Sequence, residues 1–154
     1  MNIKIVAIGK TSTPYIKEGL DVYFKRLKHY VKTELIEIPD VHYKERDRQK
    51  EKEGEAILKH IKSDDLVFLL DEKGDNPSSR ELANFFQKKM NAGTRQMVLV
   101  IGGAFGFSPE LYDRANGLLS FSKMTFSHEM IRLFLLEQIY RSYTILKGES
   151  YHND

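Results

Sequence analysis

Met97-Val98-Leu99-Val100-Ile101-Gly102-Gly103-Ala104-Phe105-Gly106-Phe107-Ser108-Pro109-Glu110 passes in one stretch from an apolar, β-branched run to a glycine cluster and then to Ser-Pro-Glu. The run is too short for a helix and too uniformly apolar for a half-exposed strand. It reads as a strand buried on both faces. Ser108 followed by Pro109 is a helix start, with an N-cap hydroxyl and proline at the first helical position. Strand, loop and helix in that order make one βα unit.

The same unit recurs on either side. Ile3–Ile8 is a second apolar run, followed by Thr13-Pro14 and then Ile16, Leu20, Phe24, Leu27 and Val31 at helical spacing. Leu35–Ile38 is the next strand. Residues 42–62 are dense in charge; Ala56, Ile57 and Ile61 give the second half a thin helical stripe, and Tyr43–Lys52 is expected to be an exposed loop or a frayed start. Leu66–Leu70 is a strand, residues 71–77 a loop, and Ser78-Ser79-Arg80-Glu81 a capping box opening a helix to about Met90. After Met97–Ile101 come a short helix to about Ala115, a strand over Leu118–Phe121, a loop over Ser122–Ser127, and a last helix over about His128–Leu146. About five βα alternations predict an α/β domain, a parallel sheet with helices on both faces. No repeat or Pro/Gly linker divides the 154 residues, so one domain over 1–154 is expected.

The last helix is apolar nearly all round, from Met130 and Ile131 to Ile145 and Leu146. Such a helix is covered on more than one side. One sheet face supplies one side, so a homodimer is expected to supply another, with neighbouring helices as the alternative.

Composition removes several function classes. The chain has no cysteine, which excludes disulfides, thiolate metal sites and Cys nucleophiles. The five histidines show no paired ligand spacing, so no metal is expected. No apolar run is long enough for a membrane span, and the N-terminus lacks a signal-peptide pattern, so the expected location is cytoplasmic. Gly9-Lys10-Thr11 resembles the end of a P-loop, but Lys4 stands where its first glycine is required. The Rossmann glycines and the G-x-S-x-G elbow are absent. A phosphoacceptor receiver would use Asp71 and Lys123, but the acidic pair it needs after the first strand is missing. Net charge is +2, with seven basic and two acidic side chains in the first 32 residues. Lys17, Lys25, Arg26, Lys28 and Lys32 therefore form either a phosphate-binding patch or a solvated helix face.

In open parallel sheets ligands bind beyond the carboxyl ends of the strands. That selects Leu70-Asp71-Glu72, Gly102–Gly106 and Phe121–Phe126. The glycines are expected to let backbone approach a ligand, so that an arginine at Gly103 would fill the ligand's place; a tight turn is the alternative.

Leu99–Gly106, Leu119–His128, Leu136-Glu137-Gln138-Ile139-Tyr140-Arg141 and Tyr151-His152 occur in an ordered combination, together with Val6-Ala7-Ile8-Gly9-Lys10, Glu34–Pro39 and Lys52-Glu53-Gly54. Across the whole chain this combination resembles the RlmH family, large-subunit rRNA pseudouridine N3-methyltransferases of the SPOUT superfamily. The resemblance implies a C-terminal trefoil knot and S-adenosylmethionine (S-adenosyl-L-methionine) as methyl donor. It implies a cofactor pocket at Leu70, Gly102, Gly103, Phe121, Ser122, Lys123, Met124, Thr125 and Phe126. It implies a homodimer acting on pseudouridine 1915 in helix 69 of 23S rRNA within the assembled 70S ribosome. His152 is the favoured base or orienting residue, with Tyr151 beside the nucleotide. Arg132 and Arg141 are candidates for holding phosphate or the imidate oxygen, or else they pair with Glu129 and Glu137 at helical spacing. His128 is expected to cap the last helix and shape the pocket. The chain ends in Asn153-Asp154, where family members often carry a basic residue. The rival class is a non-catalytic ribosome- or nucleotide-binding module of the same fold.

Overall fold

Alternation along the strands sorts side chains to two opposite layers. In the computed structural model, which describes residues 1–153, β1 (Asn2–Ile8) sends Ile3, Ile5 and Ala7 to one face and Val6 and Ile8 to the other. The remaining elements are α1 (Pro14–Leu27), β2 (Thr33–Ile38), α2 (Arg46–Leu58), β3 (Leu66–Asp75), α3 (Ser79–Asn91), β4 (Gln96–Ile101), α4 (Pro109–Arg114), β5 (Gly117–Leu119) and α5 (Met130–Leu146). All strand pairs are parallel, in the order β2-β1-β4-β3-β5. One core layer joins Ile5, Leu99 and Phe68 to α1, α3 and α5; the other joins Val6, Val100 and Leu69 to α2 and α4. The expected parallel α/β sheet with helices on both faces is therefore present.

Several boundaries differ from the sequence reading. α2 already runs from Arg46, across the stretch expected to be loop or frayed, because Gln49 and Glu53 turn inward. A polar side chain facing a core leaves no apolar stripe to read. β3 continues past Leu70 through the polar residues Asp71–Asp75, where Asp75 pairs with Leu119 beyond a bulge. Gly74 permits this, since a Cβ there would stand 2.6 Å from the backbone at Leu118–Leu119. α1 ends at Leu27, with Tyr30 and Val31 turning back to the Leu27 carbonyl. β5 stops at Leu119, two residues before the expected Phe121. Asp154 lies outside the described residues.

α5 lies against both α1 and α3, and Leu135, Leu136, Ile139 and Tyr143 are buried within the chain. Much of the apolar surface assigned to a second copy is thus covered by neighbouring helices. Phe134 is still exposed, in edge contact with Phe126 at 5.0 Å between centroids.

Among the described residues, no helix is long and apolar enough to cross a membrane.

Candidate active site

Three strands open onto one cavity of about 630 Å³. Leu70 comes from β3, Ile101 and the following glycine loop from β4, and Leu119 from β5, with Phe121, Ser122 and Met124–Phe126 from the loop after it. Eight of the nine residues expected to hold the cofactor line it: Leu70, Gly102, Gly103, Phe121, Ser122, Met124, Thr125 and Phe126. Lys123 is exposed and stands outside the lining. The loop around it is fixed by its own bonds. Ser120 Oγ donates to the Ser122 carbonyl at 2.9 Å, and Ser122 Oγ accepts the Met124 N–H at 2.9 Å.

The walls suit a largely apolar ligand that carries a positive charge. Ile101, Phe107, Leu119 and Ile131 give apolar surface, while the Asp71 and Glu72 carboxylates outnumber the one ammonium, Lys73, in the lining. The volume falls within the roughly 300–1,000 Å³ of small-molecule sites. Tyr112, also in the lining, donates a short hydrogen bond to Asp71 Oδ2, and burial with that bond pushes its phenol up to about 12. These features fit a nucleoside sulfonium. Among the described residues no cluster of three or more His, Asp or Glu side chains could hold a metal ion.

The glycines have a reason beyond ligand approach. A Cβ on Gly102 would stand 2.8 Å from the Phe107 ring, and one on Gly103 would stand 2.6 Å from Glu53 Oε1. Both substituents point into the protein. An arginine at Gly103 would drive into Glu53 instead of simply filling the ligand's place. Gly106, at φ +82°, is a conformational requirement of the turn.

The candidate catalytic side chains divide into two places. Arg132 is fully buried. Its Nε donates to the His128 carbonyl at 3.0 Å, Nη1 to Thr11 Oγ1 at 2.8 Å and Nη2 to the Ile8 carbonyl at 2.8 Å. Its carboxylate partner is Glu37 at 3.6 Å, from β2 and not from its own helix. His128, whose carbonyl it takes, lines the cavity, and the Ser127 hydroxyl accepts the Met130 N–H at the start of α5.

Arg141, Tyr151 and His152 form the second group, and none of them lines the cavity of their own chain. Arg141 Nη1 meets His152 Nδ1 at 3.2 Å, and its guanidinium lies 4.8 Å from the Tyr151 ring centre. Glu137, one turn back on α5, accepts Arg141 Nη2 at 2.5 Å and the Tyr151 hydroxyl at 2.9 Å. Glu137 also pushes the Arg141 pKa above its ordinary value, and burial pushes the Tyr151 phenol up. Tyr23 of α1 reaches the Tyr151 hydroxyl at 3.3 Å, and Tyr140 packs edge-on against its ring. The tail is thus docked on α1 and α5. Sequence reasoning placed Glu137 only as a partner for Arg141; its hold on Tyr151 depends on a tail that folds back, which no local pattern encodes.

A family model described as "Predicted SPOUT methyltransferase" matches residues 1–152. Among curated relatives, "Ribosomal RNA large subunit methyltransferase H" of Christiangramia forsetii is 47% identical, over 99% of both chains. The protein of the same name from Flavobacterium johnsoniae is 48% identical over 99% of both, and that from Porphyromonas gingivalis (strain ATCC 33277) 45% over the full length of both. The solved structure described as "a probable methylase family protein from Haemophilus influenzae Rd KW20" has TM-score 0.56 at 16% identity, covering 99% of this chain and 71% of that one. That likeness concerns the fold alone.

Proposed function

The chain belongs to the SPOUT methyltransferase family, and on that premise we propose that it is an S-adenosylmethionine-dependent rRNA methyltransferase. In this reading it is a cytoplasmic, single-domain enzyme with the C-terminal trefoil knot, acting as a homodimer. The substrate is N3 of pseudouridine 1915 in helix 69 of 23S rRNA, on the assembled 70S ribosome. The observation that carries the reading is the meeting of the middle of β3, the end of β4 and the loop after β5 around one cavity with apolar walls and a net negative lining.

When bound, S-adenosylmethionine supplies an electrophilic methyl group on its sulfonium. Asp71 and Glu72 outweigh Lys73 in the lining, and the net negative charge favours a cationic ligand. N3 of pseudouridine is an imide nitrogen, and it gains nucleophilicity as its proton leaves and charge moves to the flanking oxygens. Arg141 is the cation suited to that charge. Arg141 Nη1 lies 3.2 Å from His152 Nδ1 and holds the orientation of the imidazole. A ring so held orients by donating to a carbonyl oxygen of the base; the imide proton goes to water. Tyr151 fixes both groups through Glu137. Arg132, enclosed by the chain's own carbonyls, holds the cavity's edge at His128 and does not touch substrate.

Ten residues of α5 separate Ile131 at the cavity from Arg141, roughly 15 Å along the helix. One chain therefore does not bring cofactor and tail together. Two copies packed with their α5 helices antiparallel would set the tail of each beside the cavity of the other. The exposed apolar side chains support that arrangement: Tyr15 and Val22 on α1, Met124 and Phe126 on the cavity loop, and Phe134 on α5.

The test is methyl transfer from labelled S-adenosylmethionine to ribosomes lacking this methylation, with intact 70S particles compared with free large subunits. Label at one helix 69 pseudouridine, on 70S only, is the expected result. No transfer to either, with the cofactor still bound, would replace the proposal with the non-catalytic binding module.

A further inference from the structure

Glu53 is a charged residue in a charge-rich helix, yet it is only 4% exposed. Its Oε1 accepts from Gln49 Nε2 at 3.2 Å, and its Oε2 has no hydrogen-bond partner among the described residues. Both oxygens lie within 2.7 Å of where a Gly103 Cβ would stand, so the carboxyl group rests flat against the backbone of the cavity loop. The next residue, Gly54, is equally tight against Ser108, the N-cap of α4. α2 therefore presses on both ends of the segment 103–108. Burial pushes the Glu53 carboxyl up; Asp40 adds to this, while Gln49 and His42 oppose it. The neutral acid is the cheaper occupant of such a place, since an orphaned charge costs far more than an orphaned hydroxyl.

We propose that Glu53 is a positioning residue of the cofactor loop, setting the course of Gly102–Gly106 through Gly103 by contact and not by charge. The inference rests on the reading of that loop as cofactor-binding. It gives Gly103 a purpose distinct from ligand approach: the glycine makes room for an acid behind the loop.

The test is a cycle of Glu53→Gln, Glu53→Ala, Gly103→Ala and the Glu53→Ala/Gly103→Ala pair. Hydrogen exchange of the 103–106 amides and S-adenosylmethionine affinity by calorimetry are the readouts. Glu53→Gln keeps the shape without the charge and is expected to leave both within about threefold of wild type. Glu53→Ala and Gly103→Ala are each expected to speed loop exchange and weaken affinity by about tenfold. In the pair the effect of Gly103→Ala is expected to vanish, because the added methyl enters space the acid has left. Equal damage from Gly103→Ala in both backgrounds would overturn the proposal and return the glycine to the ligand. So would a folded Glu53→Gln protein with its loop as loose as in Glu53→Ala. If wild type binds no S-adenosylmethionine, the cofactor reading fails, and the exchange cycle still decides the role of Glu53.

Discussion

Glu129 caps α1 from the opposite end of the chain, through Thr13. Its Oε1 accepts the Thr13 N–H at 3.0 Å and the Ser12 N–H at 2.5 Å, and its Oε2 accepts the Thr13 hydroxyl at 2.9 Å. Thr13 holds the N-cap position, yet its own hydroxyl makes no capping bond to the helix. A carboxylate meeting orphan N–H groups at a helix start gains from both hydrogen bonding and the helix dipole. Glu129 also stands immediately before α5, so the capping bonds tie the β1–α1 turn to His128 at the border of the cavity.

These bonds hold the Glu129 carboxyl down at about 2, the Thr13 N–H being the largest cause. Because the folded-state pKa is depressed, the contribution to stability is complete above the unfolded value, about 4.3. It is lost as pH falls from there towards 2. Denaturant melts of Glu129→Gln should show a shallower loss of stability in that window than wild type. At pH 7 the variant should be less stable by about 1 kcal/mol, the usual worth of a helix cap. Equal acid sensitivity in the two proteins would disprove the assignment.

Arg132 sits in the same junction and leads to the opposite expectation from a substrate-binding arginine. Its removal strands the Ile8 and His128 carbonyls and the Glu37 carboxylate. Arg132→Met should cost about 3 kcal/mol in denaturant unfolding, the range for breaking a buried charge network. A variant that melts like wild type while losing only methyl transfer would return Arg132 to the catalytic group.

The sheet, its layers and the loops of the cavity were legible because they depend on local pattern. Runs such as Val98–Ile101 state a buried strand outright, and parallel topology then puts ligands at strand ends. What could not be read came from long-range contacts. Asp71–Asp75 is polar and looks like a turn, yet Ser120 donates its N–H to the Asp75 carbonyl at 2.8 Å and keeps the segment extended. Glu53 and Gln49 carry polar groups on the inward face of α2, which erases the stripe that would announce a helix. The tail cluster needed the family resemblance, since nothing local tells Tyr151 to fold back onto Glu137.

His152 separates two mechanisms. An orienting donor can be replaced in part by an amide, whereas a base cannot. His152→Asn should keep methyl transfer within about tenfold of wild type, while His152→Ala should lose on the order of a hundredfold. S-adenosylmethionine affinity should move little in either. A rate for His152→Asn as low as for His152→Ala, with a wild-type pH dependence that both variants lose, would make the histidine the base.

Lys25 in the last turn of α1, Lys28 at its C-cap and Lys32 just before β2 make a basic stripe along the sequence, and all three are exposed. If they meet ribosomal phosphate, changing each to Gln should raise the KM for ribosomes and leave kcat intact. Each lost contact should flatten the logarithmic salt dependence of binding by about 0.7–0.9. An unchanged salt slope in the triple variant would make the stripe a solvated face.

The division of labour between two copies has its own signature. Thr125 lines the cavity and is exposed, so Thr125→Trp should fill the cofactor's place without touching the core. His152→Ala disables the tail and spares the cavity. Each variant alone should be nearly inactive. If the tail of one copy serves the cavity of the other, a mixed dimer holds one site carrying both defects and one carrying neither. Equal mixing after dissociation makes half of the dimers mixed, so activity should recover to about a quarter of wild type. If each chain instead served its own cavity, every site in the mixture would carry one defect and no activity would return. Recovery therefore reports the geometry directly, since neither parent holds an intact site to contribute.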